Sequence, residues 1–149
     1  MWLIDARAAG ASDEVALREL ARTASAEAGA PFTSRSYRFP FALVAAHTDA
    51  VGVDIERVER CGRVFADSIS TPAELSARPP REDHDRFFTS LWSSKEALSK
   101  ALGDALAYDP RRLEGPGSWP DGRSGPWRAS SIDVGEDGHV AWLCWRALS

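Results

Sequence analysis

The sequence predicts an α+β fold in which a small antiparallel sheet has one long helix packed across it. Short apolar segments typical of strands occur at residues 41–46, 51–56 and 139–146. One longer segment, residues 81–102, carries apolar side chains at helical spacing and stops before a glycine. The chain has 149 residues, a length that suits one domain with a substantial core.

The first half of the chain is predicted from local signals. Residues 2–6 favour a short strand, and Ser12 is a suitable cap for a helix that ends near Ala28. A polar and basic segment follows, and then the apolar strand at residues 41–46. Because only a short turn separates this strand from the one at residues 51–56, we expect the two to pair as an antiparallel hairpin.

The second half contains shorter elements around the long helix. A short helix is expected at residues 64–69, and Thr71 can cap a second helix that starts with Pro72. Residues 115–126 are rich in glycine, proline and serine and are predicted to form a loop. Two strands, at about residues 127–134 and 139–146, close the chain.

Composition and charge exclude several classes of protein. Apolar residues make up 44% of the sequence and charged residues 27%, which is ordinary for a globular domain. The formal net charge of −4 argues against a nucleic-acid partner. No apolar run approaches the ~20 residues of a membrane span, and the N-terminus lacks the features of a secretion signal. Cys61 and Cys144 have no metal-like spacing and are expected to be free thiols, so we expect a soluble, cytoplasmic protein.

The strand at residues 51–56 carries an unusual pair of carboxylates. Its apolar residues alternate with Gly52, Asp54 and Glu56, so both carboxylates lie on the same face. Adjacent carboxylates repel each other and raise each other's pKa. Such a pair is tolerated when it is solvated or when a cation neutralises it, and oxygen ligands on a rigid element suit Mg²⁺.

The long helix offers further charged residues in the sequence WSSKEALSK at residues 92–100. Glu96 and Lys100 lie one turn apart on one face. On the helix alone, they favour a surface ion pair worth only a few tenths of a kcal/mol. Together with the acidic strand and Lys95, they favour a site that moves a phosphate-linked group.

The two motifs resemble the signature of the 4′-phosphopantetheinyl transferase superfamily, which includes holo-acyl-carrier-protein synthases and transferases of the surfactin-synthetase-activating type. That signature is a G-(V/I)-D-(I/L)-E strand followed by a helix with W-x-x-K-E-(A/S)-x-x-K. Here it stands as GVDIE at residues 52–56 and WSSKEALSK at residues 92–100. The resemblance covers about residues 34–146. It implies a 4′-phosphopantetheinyl transferase-like fold and a single such domain at residues 1–149, with residues 1–33 as a shortened N-terminal extension.

The resemblance also implies an activity, namely Mg²⁺-dependent transfer of 4′-phosphopantetheine from coenzyme A to a serine of an acyl or peptidyl carrier protein. Asp54, Glu56 and Glu96 would hold the Mg²⁺. Asp54, Glu96 and Lys100 would be the catalytic residues. Lys95 and Lys100 would neutralise the phosphate charge of coenzyme A.

The chain departs from the family in a segment that precedes the acidic strand. In the family this segment is Ser-x-Ser-His-Ser, and its histidine contacts coenzyme A. Here it falls on residues 34–38, where the first two serines match but Tyr37 and Arg38 replace the histidine and the last serine. Tyrosine cannot carry positive charge near neutrality, so Arg35 or Arg38 would supply it, unless both are simply solvated. Ser36, Tyr37, Arg35 and Arg38 are therefore candidate coenzyme A contacts.

The sequence does not decide how the protein assembles or which reaction it catalyses. Short family members form trimers, and long members contain two modules with the site between them. This chain resembles the second module of a long member, so we expect a homo-oligomer in which a neighbour completes the pocket. The alternatives are a repurposed member of the same fold that acts on another small molecule in a biosynthetic pathway, and a non-catalytic interaction subunit. We expect no nucleic acid or membrane partner.

Overall fold

The structure is a computed structural model and describes residues 1–103 and 108–149. Short turns of 3₁₀-helix cover Arg81–Asp83, Pro116–Ser118 and Pro120–Gly122. The strands and α-helices run in this order: β1 (Trp2–Asp5), α1 (Ala6–Ala9), α2 (Glu14–Glu27), β2 (Phe32–Arg38), β3 (Phe41–His47), β4 (Val51–Arg57), α3 (Arg63–Ile69), α4 (Pro72–Ser76), α5 (His84–Ala101), β5 (Arg123–Ser124), β6 (Trp127–Ile132) and β7 (His139–Arg146).

The strands form two small antiparallel sheets, which confirms the predicted α+β class. The first sheet has the order β1–β3–β2 and the second has the order β4–β7–β6–β5. The central strand β3 is apolar on both faces. Its residues Leu43 and Ala45 pack against the second sheet, whereas Ala42 and Val44 pack against α2. The first sheet therefore lies between α2 and the second sheet, and α5 covers the other face of the second sheet.

The predicted hairpin between residues 41–46 and 51–56 is wrong. Strand β3 pairs with β1 on one side and with β2 on the other, so both of its edges are occupied. Strand β4 pairs instead with β7 in the second sheet. The polar segment before Phe39 and Pro40 forms β2, because the tight turn at these two residues places it directly beside β3.

Two serine hydroxyls join the two sheets along the free edge of β4. Ser34 Oγ accepts a hydrogen bond from the Val53 N–H at 3.1 Å, and Ser36 Oγ accepts one from the Ile55 N–H at 3.1 Å. Side chains of β2 thus satisfy backbone donors that a neighbouring strand would otherwise satisfy. We call these two pairs of residues the serine seam.

Helix α5 lies directly against β4 because of a single glycine. A Cβ atom at Gly52 would collide with the carbonyl oxygen of Ala97 and the backbone nitrogen of Ala101. The absence of a side chain at this position lets the strand reach the helix backbone. This close packing brings the carboxylates of β4 next to the charged residues of α5.

The remaining elements largely follow their local signals. Thr71 and Glu74 form a capping box at the start of α4, whereas the cap of α2 is Asp13 instead of the expected Ser12. Part of the predicted loop at residues 115–126 folds into 3₁₀ turns and β5. Cys61 and Cys144 are free thiols. Within the described residues, no helix combines the length and apolar character needed to cross a membrane.

Candidate active site

Asp54 lies at the centre of the candidate site, in the middle of β4. It is 4% exposed, and its Oδ1 accepts a hydrogen bond from Ser36 Oγ at 3.4 Å and lies 3.5 Å from Lys100 Nζ. Its Oδ2 is buried and has no hydrogen-bond partner within the part of the chain that the structure describes. Because a buried, unpartnered carboxylate oxygen is costly, this atom marks a place where a cation would be stabilised.

The three predicted carboxylates share one electrostatic environment. Burial raises the pKa of Asp54 to about 7. The charge of Lys100 and the hydroxyl of Ser93 oppose this rise, and the charges of Glu56 and Glu96 add to it. Burial likewise raises the pKa of Glu96, again with Lys100 opposing the effect and Glu56 adding to it. Burial therefore disfavours the ionised forms of Asp54 and Glu96, and added positive charge would stabilise those forms.

The donor chemistry of this cluster fits a hard divalent cation, but its side chains are not gathered around one point. Carboxylate oxygens are suitable ligands for Mg²⁺, and Asp54 Oδ2 is available. Over residues 1–103 and 108–149, however, no group of three or more His, Cys, Asp or Glu side chains is arranged to hold a metal. Arg38 Nη2 donates to Glu56 Oε2 at 2.6 Å. To serve as a ligand, Glu56 would have to exchange Arg38 for the metal.

Lys100 lies between β2 and β4, close to the acidic strand. Its Nζ donates to the carbonyl oxygens of Val53 at 2.9 Å and Arg35 at 3.3 Å. Its side chain is 31% exposed, so the ammonium can be reached from solvent. Ser93, which sequence analysis did not single out, donates to the carbonyl oxygen of Asp54 at 3.3 Å.

Lys95 is separate from this cluster. Its side chain is 2% exposed and its Nζ lies 2.6 Å from Glu74 Oε1. Sequence analysis missed Glu74, whose one local signal is the capping box with Thr71. The structure therefore brings Asp54, Glu56, Glu96 and Lys100 together and leaves Lys95 in a different environment.

Strand alternation divides the predicted coenzyme A segment between two faces of β2. Ser36 and Arg38 face the second sheet, where they contact Asp54 and Glu56. Tyr37 and Arg35 lie on the opposite face. The guanidinium carbon of Arg18 on α2 lies 4.4 Å from the centroid of the Tyr37 ring. Tyr37 thus packs toward α2, away from the carboxylates.

A groove with a volume of about 560 Å³ runs beside α5. Its lining residues are mostly apolar: Phe65, Ser68, Ile69, Trp92, Tyr108, Asp109 and Pro110. Trp92, Tyr108 and Pro110 also line a much smaller pocket whose other residues include Lys95 and Glu96. Because the two spaces share these walls, the groove leads toward Glu96.

Comparison with known proteins shows which family this chain resembles. Residues 50–143 match the model of the family described as the 4′-phosphopantetheinyl transferase superfamily. The chain is also similar to a holo-[acyl-carrier-protein] synthase of Aliivibrio fischeri (strain MJ11), with 37% identity over 71 residues, or 45% of this chain and 55% of that protein. The chain thus spans about half the length of this curated relative. The family match covers more than half of the chain and includes all four clustered residues, so the chain belongs to the 4′-phosphopantetheinyl transferase superfamily.

Proposed function

We propose that this protein is a transferase of the holo-[acyl-carrier-protein] synthase type. It transfers the 4′-phosphopantetheine group of coenzyme A to a serine of an acyl or peptidyl carrier protein, with Mg²⁺ as cofactor. The observation that carries the proposal is the buried, unpartnered Oδ2 of Asp54 beside Glu96 and Lys100. In a chain of this superfamily, a carboxylate held in this way is best explained as part of a site for a cation and a phosphate.

Each clustered residue has a chemical role in this reaction. Asp54, Glu56 and Glu96 would hold Mg²⁺, which when bound neutralises charge on the phosphates of coenzyme A. Lys100, the partly exposed cation of the cluster, binds a phosphate of coenzyme A and stabilises the leaving group.

Glu96 is suited to accept the proton of the carrier-protein serine, directly or through a water, because it is the carboxylate of the cluster that lines the pocket beside the groove. The serine oxygen bonds to the β-phosphorus of coenzyme A while the bond from that phosphorus to the bridging oxygen breaks. The 3′,5′-ADP leaves with the electron pair of that bond.

The direct test is intact-protein mass spectrometry of several apo carrier proteins incubated with this protein, coenzyme A and Mg²⁺. We expect the mass of at least one carrier to increase by one phosphopantetheine group, and we expect EDTA to abolish the increase. Asp54→Asn should also abolish it, whereas Glu14→Gln, a change on the exposed surface of α2, should not. No increase on any carrier, with correctly folded protein, would contradict the proposal.

The role of Lys100 can be tested by titration with coenzyme A. Lys100→Ala should raise the dissociation constant of coenzyme A about tenfold, the effect of losing roughly one charge-assisted hydrogen bond. Arg22→Ala, at an exposed position on α2, is the matched control for loss of a cationic side chain. If the dissociation constant of coenzyme A is unchanged in the Lys100 variant, Lys100 does not bind a phosphate of coenzyme A.

A second candidate function is action on another small molecule, and the position of Tyr37 favours it. In the family, a histidine at this position contacts coenzyme A, but Tyr37 lies on the face of β2 away from the carboxylates. Calorimetry distinguishes the two candidates. Binding of coenzyme A supports the transferase, whereas stabilisation by Mg²⁺ without any binding of coenzyme A would favour the second candidate.

We further propose that the protein is a homo-oligomer in which a neighbouring copy completes the substrate pocket. The first sheet supports this, because Trp2, Leu3 and Phe32 are 46%, 40% and 45% exposed. Because successive side chains of a strand point to opposite faces, Trp2 and Leu3 leave an apolar side chain exposed on each face of this sheet, which a neighbouring copy would cover. Sedimentation at micromolar concentration should show an oligomer, and an active monomer would contradict the shared site.

A further inference from the structure

Lys95 has no hydrogen-bonding capacity left for a ligand. Its Nζ lies 2.6 Å from Glu74 Oε1, and the two side chains are 2% and 7% exposed. A lysine ammonium has three N–H groups. The other two are donated to the carbonyl oxygens of Ile69 at 2.7 Å and Pro110 at 2.5 Å. A phosphate could bind this ammonium only by displacing one of these buried acceptors.

Glu74 accepts hydrogen bonds at both of its carboxylate oxygens. Its Oε1 also accepts a hydrogen bond from the Thr71 N–H at 2.9 Å, and its Oε2 accepts one from the Gly115 N–H at 2.8 Å. Gly115 approaches α5 closely, since a Cβ there would lie 3.0 Å from Ser94 Oγ and 3.2 Å from Lys95 Cε. The carboxylate thus connects α4 and the segment at residues 110–115 to α5. We call this buried ion pair the Glu74–Lys95 pin.

The pin lies next to the candidate active site along the chain and in space. Lys95 directly precedes Glu96, and the hydroxyl of Tyr108 donates to the Lys95 carbonyl oxygen at 3.0 Å. Tyr108 and Pro110 form part of the groove that leads toward Glu96. Release of the pin would therefore free one wall of the groove and the part of α5 that carries Glu96.

A buried ion pair is a costly way to stabilise a fold. Replacing such a pair with apolar side chains is often neutral or stabilising, whereas removing one partner leaves an uncompensated buried charge. Desolvation lowers the pKa of Lys95, and Glu74 opposes this effect. What the pair provides beyond apolar packing is a fixed geometry, because five hydrogen bonds converge on its two charged groups.

We propose that Lys95 is a positioning residue and not a phosphate ligand. Together with Glu74 it holds residues 110–115 against α5, so that Glu96 and the groove wall keep the arrangement that transfer requires. This assignment replaces the role in phosphate binding that the family resemblance implied for Lys95. Its consequence for catalysis rests on the proposed function, whereas the inaccessibility of Lys95 and the anchoring of residues 110–115 do not.

The first experiment uses the wild-type protein and needs no substitution. Lys95 and Lys100 are the two lysines of the sequence, so amine labelling of the native protein with acetic anhydride, followed by proteolysis and mass spectrometry, compares them directly. We expect Lys100 to react and to be protected by coenzyme A with Mg²⁺. Lys95 should react at least about tenfold more slowly, with or without coenzyme A, because it reacts only after local opening. Urea-unfolded protein, in which both should react equally, is the control.

Reaction of Lys95 as fast as Lys100, with protection by coenzyme A, would overturn the proposal. If coenzyme A protects neither lysine, the phosphate role of Lys100 in the proposed function fails, but slow labelling of Lys95 still supports the pin. The two failures are therefore distinguishable.

The second experiment compares Glu74→Gln, Lys95→Met and the double variant, with Glu14→Gln as the control for a carboxylate-to-amide change at an exposed site. Both single variants should lower kcat by a similar factor, on the order of 10- to 100-fold, and leave the dissociation constant of coenzyme A within about twofold. The double variant should be no worse than the singles, because both remove one interaction. A phosphate ligand at Lys95 would instead raise the dissociation constant in Lys95→Met alone, and that result would overturn the proposal.

Hydrogen exchange supplies a readout that does not depend on activity. In both single variants the Gly115 amide should exchange faster than in the wild type, because its acceptor Glu74 Oε2 is lost or released. Unchanged exchange across residues 110–115 in folded variants would show that the pin does not hold this segment.

Discussion

Gly52 on β4 and Ala97 on α5 are in such close backbone contact that a Cβ atom at Gly52 would overlap the carbonyl oxygen of Ala97. This contact determines how near Asp54, two residues along the strand, lies to Lys100 on the helix. The glycine of the GVDIE motif therefore acts on the site through the packing of β4 against α5.

Gly52→Ala should lower both stability and activity. The two nearest atoms that a Cβ at position 52 would meet, the Ala97 carbonyl oxygen and the Ala101 nitrogen, belong to the backbone of α5. The strand therefore has to move away from the helix. We expect the free energy of unfolding to fall by at least about 1–3 kcal/mol. Urea unfolding measures this loss. Gly138→Ala, where no atom lies within 4 Å of the added Cβ, should change it by less than about 0.5 kcal/mol. Equal stability of the two variants would contradict the close contact.

Asp54→Asn should change the pH dependence of stability. The pKa of Asp54 rises from 3.8 to about 7 in the folded protein, so between these values the native state holds a proton that the unfolded state has released. The free energy of unfolding should therefore fall as pH rises through this range, by on the order of 2–4 kcal/mol without Mg²⁺. Asp54→Asn should remove this fall.

Thermal unfolding at pH 5 and pH 8 in EDTA measures the effect. At pH 8, Mg²⁺ should stabilise the wild type by binding the native state and should have little effect on Asp54→Asn. If the stability of the two proteins depends on pH in the same way, ionisation of Asp54 does not cause the loss of stability at high pH.

Ser36→Ala should destabilise the protein in the absence of any ligand. The substitution leaves the Ile55 N–H at the serine seam without its acceptor, at a cost of about 1–3 kcal/mol. Ser130→Ala is a matched control, because the Ser130 hydroxyl is exposed and donates to the Ser131 carbonyl oxygen. Unchanged stability together with weaker binding of coenzyme A would indicate that Ser36 contacts coenzyme A and does not stabilise the serine seam.

Arg38→Ala should increase the affinity for Mg²⁺. Arg38 holds Glu56 in an ion pair at 2.6 Å, and its removal frees this carboxylate to serve as a ligand. Since a partly exposed pair is worth about 0.2–1 kcal/mol, we expect roughly a 1.5- to 5-fold gain, measured by calorimetry. Arg35→Ala, which lies on the opposite face of β2, should leave the affinity for Mg²⁺ unchanged. Weaker binding of Mg²⁺ in Arg38→Ala would show that Arg38 does not compete with Mg²⁺ for Glu56.

Much of the secondary structure could be predicted because its signals are local. Thr71 and Pro72 mark the start of α4, and the apolar spacing before Gly103 marks α5. Strand pairing was harder to predict. The polar segment that forms β2 lacks an apolar alternation, because its seam-facing positions carry Ser34 and Ser36, whose hydroxyls serve the edge of β4. Without a signal for β2, the sequence predicts the nearest apolar strand as the partner of β4, whereas the partner in the structure is β7.

The sequence by itself determined the family and the α+β class. It also predicted Asp54, Glu56, Glu96 and Lys100 as candidate site residues, because two short motifs contain them in order and at the expected spacing. Only the tertiary structure decided what surrounds each of the two lysines of the motif. Lys100 lies in the gap beside Asp54, whereas Lys95 faces Glu74 and the carbonyl oxygens of Ile69 and Pro110. The physical reason is that, in the described part of the chain, Lys95 is 2% exposed and its three acceptors lie within 2.7 Å, whereas Lys100 is 31% exposed and its three acceptors lie at 2.9–3.5 Å. An ammonium that is buried among close acceptors is not available to a ligand. Those acceptors come from segments far from Lys95 in sequence, which folding brings to it.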